Sequence, residues 1–112
     1  KFSKLEYRDD YKYIDIRPRY KDSAARDGLV YARGFYNSKK AAPGSLRIGA
    51  DGPFKVFVQR KEVGCNPGAT NPITAHLMTI PVEWKKEKNE IVIAMRTNGG
   101  SAWGFMASTI AK

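Results

Sequence analysis

In the run FKVFVQ at 54–59, Phe54, Val56 and Val58 alternate with Lys55, Phe57 and Gln59, and the same two-residue period recurs along most of the chain. Successive side chains of a strand point to opposite faces, so this period predicts strands, whereas helical spacing is sustained nowhere. The strands fall at 11–16, 28–36, 45–49, 54–59, 77–82, 90–96 and 102–110, separated by clusters of Gly, Pro, Asn and Asp. Short strands at such intervals make the chain all-β, a sandwich or a barrel. The longest connection, GCNPGATNPIT at 64–74, contains two Asn-Pro pairs that restrict its backbone, so an ordered loop is expected there.

Alternation also sorts the side chains by face. Phe54, Val56 and Val58 form a core set, as do Ile80, Val82 and Trp84, which places Trp84 inside. Ile91, Ile93 and Met95 oppose Val92, Ala94 and Arg96, a second face that is half apolar and expected to be partly covered. In GLVYARGFY, Leu29, Tyr31, Arg33 and Phe35 share one face. A buried arginine needs a paired charge, so Arg33 belongs at a sheet edge or on an outward face. Trp103 shares a face with Phe105 in TNGGSAWGFMA, which favours the core, while the glycines before it leave an apical position open.

Length and charge narrow the picture. At 112 residues the chain has the size of one domain, 1–112, and no apolar run approaches the roughly 20 residues of a membrane-spanning helix. No membrane association is expected. The formal net charge of +9 favours polyanionic partners. Its basic residues come in pairs, Lys39-Lys40, Arg60-Lys61 and Lys85-Lys86, that read as solvated turn edges rather than one block. Cys65 has no disulfide partner, and with His76 it falls short of a zinc set. The acidic residues stand mostly at strand ends beside Lys or Arg, no two forming the facing pair that glycoside hydrolysis requires. The expectation is a non-enzyme.

The run VYARGFYNS, then SLRIGADGPFKVFVQRKEVG, IPVEWKKEKNEIVIAMRTNGG and AWGF, resembles the galactose-binding-like jelly-roll domains attached to glycoside hydrolases, over roughly residues 28 to 107. The resemblance implies a jelly-roll β-sandwich of two antiparallel sheets, serving as a secreted carbohydrate-binding module of a larger polysaccharide-degrading enzyme. A structural calcium ion is the one cofactor it leaves open, with Asp22 to Asp27 as a candidate segment. Two departures stand out. Gln59-Arg60 replaces the family's Asn-Gly, and Glu87 replaces a glycine after Lys85-Lys86, so both connections are expected to be looser or longer.

Sugar rings stack their C–H faces on aromatic rings, and their hydroxyls bond planar polar groups. Two sets of residues fit. On the sheet face, Tyr31 and Phe57 are platforms, with Arg33, Lys55 and Gln59 as hydroxyl or carboxylate partners. In the apical loops, Asn98 and Trp103 stand with Asn66 and Asn71. Against the first set, the N-terminal tyrosines Tyr7, Tyr11, Tyr13 and Tyr20 could cover the face; against the second, Asn98-Gly99-Gly100 is ordinary turn chemistry. The partner expected is a β-glucan or similar plant or algal glycan, or an acidic glycan if the charge takes part. A basic nucleic-acid-binding β domain and a purely structural accessory domain are the alternatives.

Overall fold

The computed structural model describes residues 7–8, 13–15, 28–68, 78–96 and 104–111, and every regular element among them is a strand. In chain order these are β1 (Tyr7–Arg8), β2 (Tyr13–Asp15), β3 (Leu29–Ser38), β4 (Ala42–Ala50), β5 (Phe54–Val58), β6 (Lys61–Asn66), β7 (Met78–Trp84), β8 (Glu87–Arg96) and β9 (Gly104–Ala111). They form two antiparallel sheets, a five-stranded one in the order β1-β2-β9-β4-β7 and a four-stranded one in the order β3-β8-β5-β6.

The pairing has a simple logic. β5 pairs with β6, β4 with β7, β3 with β8 and β2 with β9, so the chain is one long hairpin whose nested pairs fall alternately in the two sheets. Wrapped in this way, a hairpin makes a jelly roll. The innermost turn is Gln59-Arg60.

The core lies between the layers. Phe54, Val56 and Val58 from β5 and Ile93 and Met95 from β8 meet Leu46, Ile48 and Ala50 from β4, Ile80, Val82 and Trp84 from β7, and Phe105 from β9. The β5 and β7 sets alternate with exposed or half-buried neighbours, as strand geometry requires, while Gly49 in β4 and Ala94 in β8 are buried between core residues. Trp84 is buried as expected, and its ring lies 4.8 Å from that of Tyr36 on the opposite sheet, tilted by 59°. Phe105 is likewise buried, whereas Trp103 lies outside the described residues.

Several expectations need correction. Residues 61–66 form β6, so 64–66 belong to a strand rather than to the long connection, which begins later. Asn66 ends the strand, accepting a hydrogen bond at Oδ1 from the Gly68 amide at 3.0 Å. An extra residue, Val63, bulges β6 between the Val56–Gly64 and Phe57–Glu62 pairs and packs against the core.

The Gln59-Arg60 turn is neither loose nor long: Val58 pairs directly with Lys61, and both turn residues take positive φ, 54° and 65°. Two such residues are the signature of a tight type I′ hairpin, ordinarily built from Asn and Gly. Tertiary hydrogen bonds hold it. The Gln59 amide N–H donates to the Glu90 carbonyl at 3.0 Å, and the Gln59 side chain donates from Nε2 to Asn89 Oδ1 at 2.6 Å. Likewise, Lys85-Lys86 is no hairpin at all. It carries the chain from β7 in one sheet to β8 in the other, with Glu87 at φ 71°.

Asn89 organises both features. It is completely buried, and its Oδ1 also accepts from the Lys85 amide at 2.9 Å, while Nδ2 donates to the carbonyls of Tyr36, Lys85 and Glu87 at 3.1, 2.9 and 3.0 Å. One amide side chain thus ties the hairpin tip, the sheet crossing and β3 together.

Candidate functional site

The outward face of the four-stranded sheet follows from its register. β8 runs down the middle and presents Lys88, Glu90, Val92, Ala94 and Arg96, because Asn89, Ile93 and Met95 are turned inward. On one side β3 presents Leu29, Tyr31, Arg33, Phe35 and Asn37; on the other, β5 presents Lys55 and Phe57. Across the sheet, Tyr31 pairs with Ala94 and Ala94 with Lys55, and one step along, Arg33 pairs with Val92 and Val92 with Phe57. Four of the residues singled out from the sequence, Tyr31, Arg33, Lys55 and Phe57, are therefore neighbours on one surface.

That surface is open where it matters. Tyr31 is 54% exposed, and Leu29 and Phe35 are also exposed, which is unusual for large apolar side chains unless something packs on them. Phe57 is half-buried, and Ala94 sits below the level of its longer neighbours. Arg33 satisfies both readings drawn from alternation, since β3 is an edge strand and its face is outward. Of the tyrosines that could have covered this face, Tyr7 and Tyr13 stand on β1 and β2, in the other sheet; Tyr11 and Tyr20 lie outside the described residues.

Charges are arranged around the aromatics. Arg33 donates from Nε to Glu90 Oε2 at 2.8 Å, and Arg60 Nε approaches Glu90 Oε1 at 3.5 Å, so one carboxylate orients two guanidinium groups. Lys55 Nζ stands 3.8 Å from Glu62 Oε1. The Phe35 ring is covered by cations, Lys88 Nζ at 4.2 Å and Arg33 Cζ at 4.9 Å from its centroid. A ring so occupied is less available for stacking than Tyr31. Positive charge dominates this face, with Arg33, Lys55, Arg60, Lys88 and Arg96 against Glu62 and Glu90.

The remaining candidates are placed elsewhere. Gln59 is not brought to the face: its amide is turned inward onto Asn89. Asn66 stands at the opposite end of the sandwich, next to the Pro67-Gly68 turn, while Asn71, Asn98 and Trp103 lie outside the described residues. So do Asp22, Asp27 and His76. Among the described residues no group of three or more His, Cys, Asp or Glu side chains is placed to hold a metal ion.

Two features escaped the reading of the sequence. Asp51 is no surface charge; it is buried, and its Oδ1 accepts a hydrogen bond from the Gly104 amide at 3.1 Å. The lysine pairs are exposed but not scattered. Ser38 pairs with Glu87 and Ala42 with Trp84, so the two sheet crossings lie side by side and gather Lys39, Lys40, Lys85, Lys86 and Lys88 at one end. Glu90 was within reach of alternation, which places it on the face of Val92 and Arg96.

No family model matches the chain, and no curated protein matches it in sequence. Among solved structures it is similar to a β-glucosidase from Kluyveromyces marxianus in complex with glucose, at 15% identity and a TM-score of 0.60, covering 81% of this chain and 11% of that one. A selenomethionine-labelled β-glucosidase from Kluyveromyces marxianus gives 13% identity and a TM-score of 0.58, with 95% and 12% covered. The chain thus spans 11–12% of the length of these enzymes. At that identity the likeness is one of fold.

Proposed function

We propose that this β-sandwich is a non-catalytic carbohydrate-binding module, binding polysaccharide on the outward face of the β3-β8-β5-β6 sheet and targeting an attached polysaccharide-degrading enzyme to it. The observation that carries the reading is the assembly, on one exposed surface, of Tyr31 and Phe57 as stacking platforms beside Arg33 and Lys55 as polar partners. Apolar ring faces and polar edges of a sugar are matched together there. The likeness in fold to a small share of β-glucosidase chains supports an accessory role within a larger enzyme, whose secretion is part of the proposal. The non-catalytic part of the reading is supported by Glu62 and Glu90, the carboxylates of this face, each of which is held in an ion pair.

Affinity gel electrophoresis across soluble polysaccharides, β-glucans first, tests this directly, with single-stranded DNA run alongside. Retardation by a glycan that is lost in Tyr31→Ala and in Phe57→Ala is the expected result. Retardation lost in Asn98→Ala alone moves the site to the apical loops. No retardation by any glycan, together with a salt-sensitive shift on DNA, overturns the reading in favour of nucleic acid.

A further inference from the structure

Platforms and cations alternate across β8 in a checkerboard. In one row Tyr31 on β3 faces Lys55 on β5 across Ala94; in the next, Arg33 on β3 faces Phe57 on β5 across Val92. The aromatic changes sides between rows, and the cation changes sides the opposite way. The rows are two strand residues apart, roughly 7 Å, and the two flanking strands are separated by two strand spacings, roughly 10 Å.

A sugar chain with equatorial 1,4 linkages has a matching symmetry. Each ring is turned about half a revolution from the last, so the groups at C6 project alternately to left and right. Tyr31 and Phe57 stand diagonally, roughly 12 Å apart by these spacings, the span of two linkages, so the first and third of three successive rings stack on them; the middle ring points its C6 group to one side, toward Arg33, and the third points its own to the other, toward Lys55. In a neutral glucan that group is a hydroxymethyl. In a uronic acid it is a carboxylate, which makes the shorter and stronger charge-assisted hydrogen bonds to ammonium and guanidinium.

We propose that the glycan of this face is an acidic one, a β-1,4-linked chain of hexuronic acid whose carboxylates alternate between Lys55 and Arg33. The inference rests on the carbohydrate-binding reading above and specifies its ligand. The cations are suitably held: the Glu90 carboxylate fixes the Arg33 guanidinium through Nε, and Lys55 is 59% exposed at its side chain, in long-range contact with Glu62. Glu62 is then a competitor for Lys55, which gives the proposal a prediction of unusual sign.

The test compares two oligosaccharides of equal length that differ only at C6, cellohexaose and β-1,4-linked hexaglucuronate, by titration calorimetry on the whole chain at low and high salt. The hexaglucuronate is expected to bind about tenfold tighter or better at low salt, with the advantage shrinking as salt rises. Lys55→Met removes most of that preference and leaves cellohexaose affinity nearly unchanged. Glu62→Gln raises hexaglucuronate affinity severalfold. Lys39→Gln with Lys40→Gln, at the end of the sandwich, leaves the preference in place.

Equal or tighter binding of cellohexaose overturns the proposal while leaving carbohydrate binding intact. A loss of preference in the Lys39, Lys40 variant as large as in Lys55→Met also overturns it, because bulk charge then accounts for the effect. Failure of every glycan in the electrophoresis panel is the separate result that removes the binding reading itself.

Discussion

Replacing Asn89 by alanine tests how the fold holds its innermost turn. The substitution deletes bonds to Gln59 Nε2 and the Lys85 amide on one side and to the Tyr36, Lys85 and Glu87 carbonyls on the other. A hydrogen bond contributes about 1 kcal/mol net, and a buried polar group left unsatisfied costs about 1–3 kcal/mol. Lys85 and Glu87 are exposed, so water can reach part of what is lost there, whereas Tyr36 is half-buried. The expected destabilisation is about 3 kcal/mol, or roughly 10–20 °C in Tm for a domain of this size.

Urea titration followed by tryptophan fluorescence measures it, Trp84 being buried against Tyr36. A loss below about 1 kcal/mol would refute the assignment of Asn89 as the tie between hairpin tip and sheet crossing. Asn89→Asp sharpens the test by keeping the shape and both accepted bonds while facing a carboxylate toward three carbonyls. Burial and those carbonyls raise the folded-state pKa of the new acid, so the folded state binds a proton more tightly than the unfolded chain. The resulting destabilisation is fully present above that raised pKa and declines as pH falls, down to the unfolded value of about 3.9. A stability deficit relative to wild type that stays constant between neutral and acid pH contradicts the argument.

Other positions make smaller claims. Arg60→Gly relieves a left-handed residue at φ 65° and loses only an exposed ion pair, so it should raise stability by about 0.5–1 kcal/mol in the same titration. Glu87→Gly, at φ 71°, should act the same way, provided Asn89 is intact. Gly64→Ala should cost about 1–3 kcal/mol, because a Cβ there would lie 2.7 Å from Ile80 Cδ1 on the facing sheet. Tyr31→Ala should leave Tm within about 2 °C of wild type, since an exposed surface substitution changes stability by only about 0.5 kcal/mol or less. A large drop in Tm would instead mean that Tyr31 is part of the packing.

Alternation made the sandwich legible where strands are half-buried. β5, β7 and β8 carry their core on every second residue, and those residues are the ones found inside. The same signal grouped Tyr31, Arg33, Lys55 and Phe57 by face, although which face met solvent depended on how the sheets stacked. β6 was hidden because Gly64, Cys65 and Asn66 have the composition of a loop; their strand is set by the tight turn before them and by room for Gly64 against Ile80. That turn was illegible for a related reason. Gln59 and Arg60 do not favour positive φ, and what stabilises them there comes from Asn89 and Glu90, thirty residues along the chain. Asn89 itself reads as a turn residue, and only its place among inward positions of β8 betrays it.

Among the described residues, the charge of this sandwich has a direction. The β3-β8-β5-β6 face and the lysine end beside it are strongly positive, while the outward residues of β4 and β7 include Pro43, Ser45, Thr79 and Pro81, with Arg47 offset by Glu83. Such a body is turned by the field of an anionic surface before it touches it, which speeds productive encounters and makes the association rate, more than the dissociation rate, fall with added salt. Stopped-flow association at several ionic strengths would show it. A positive front of this kind also orients the sandwich as it approaches such a surface, the four-stranded sheet leading.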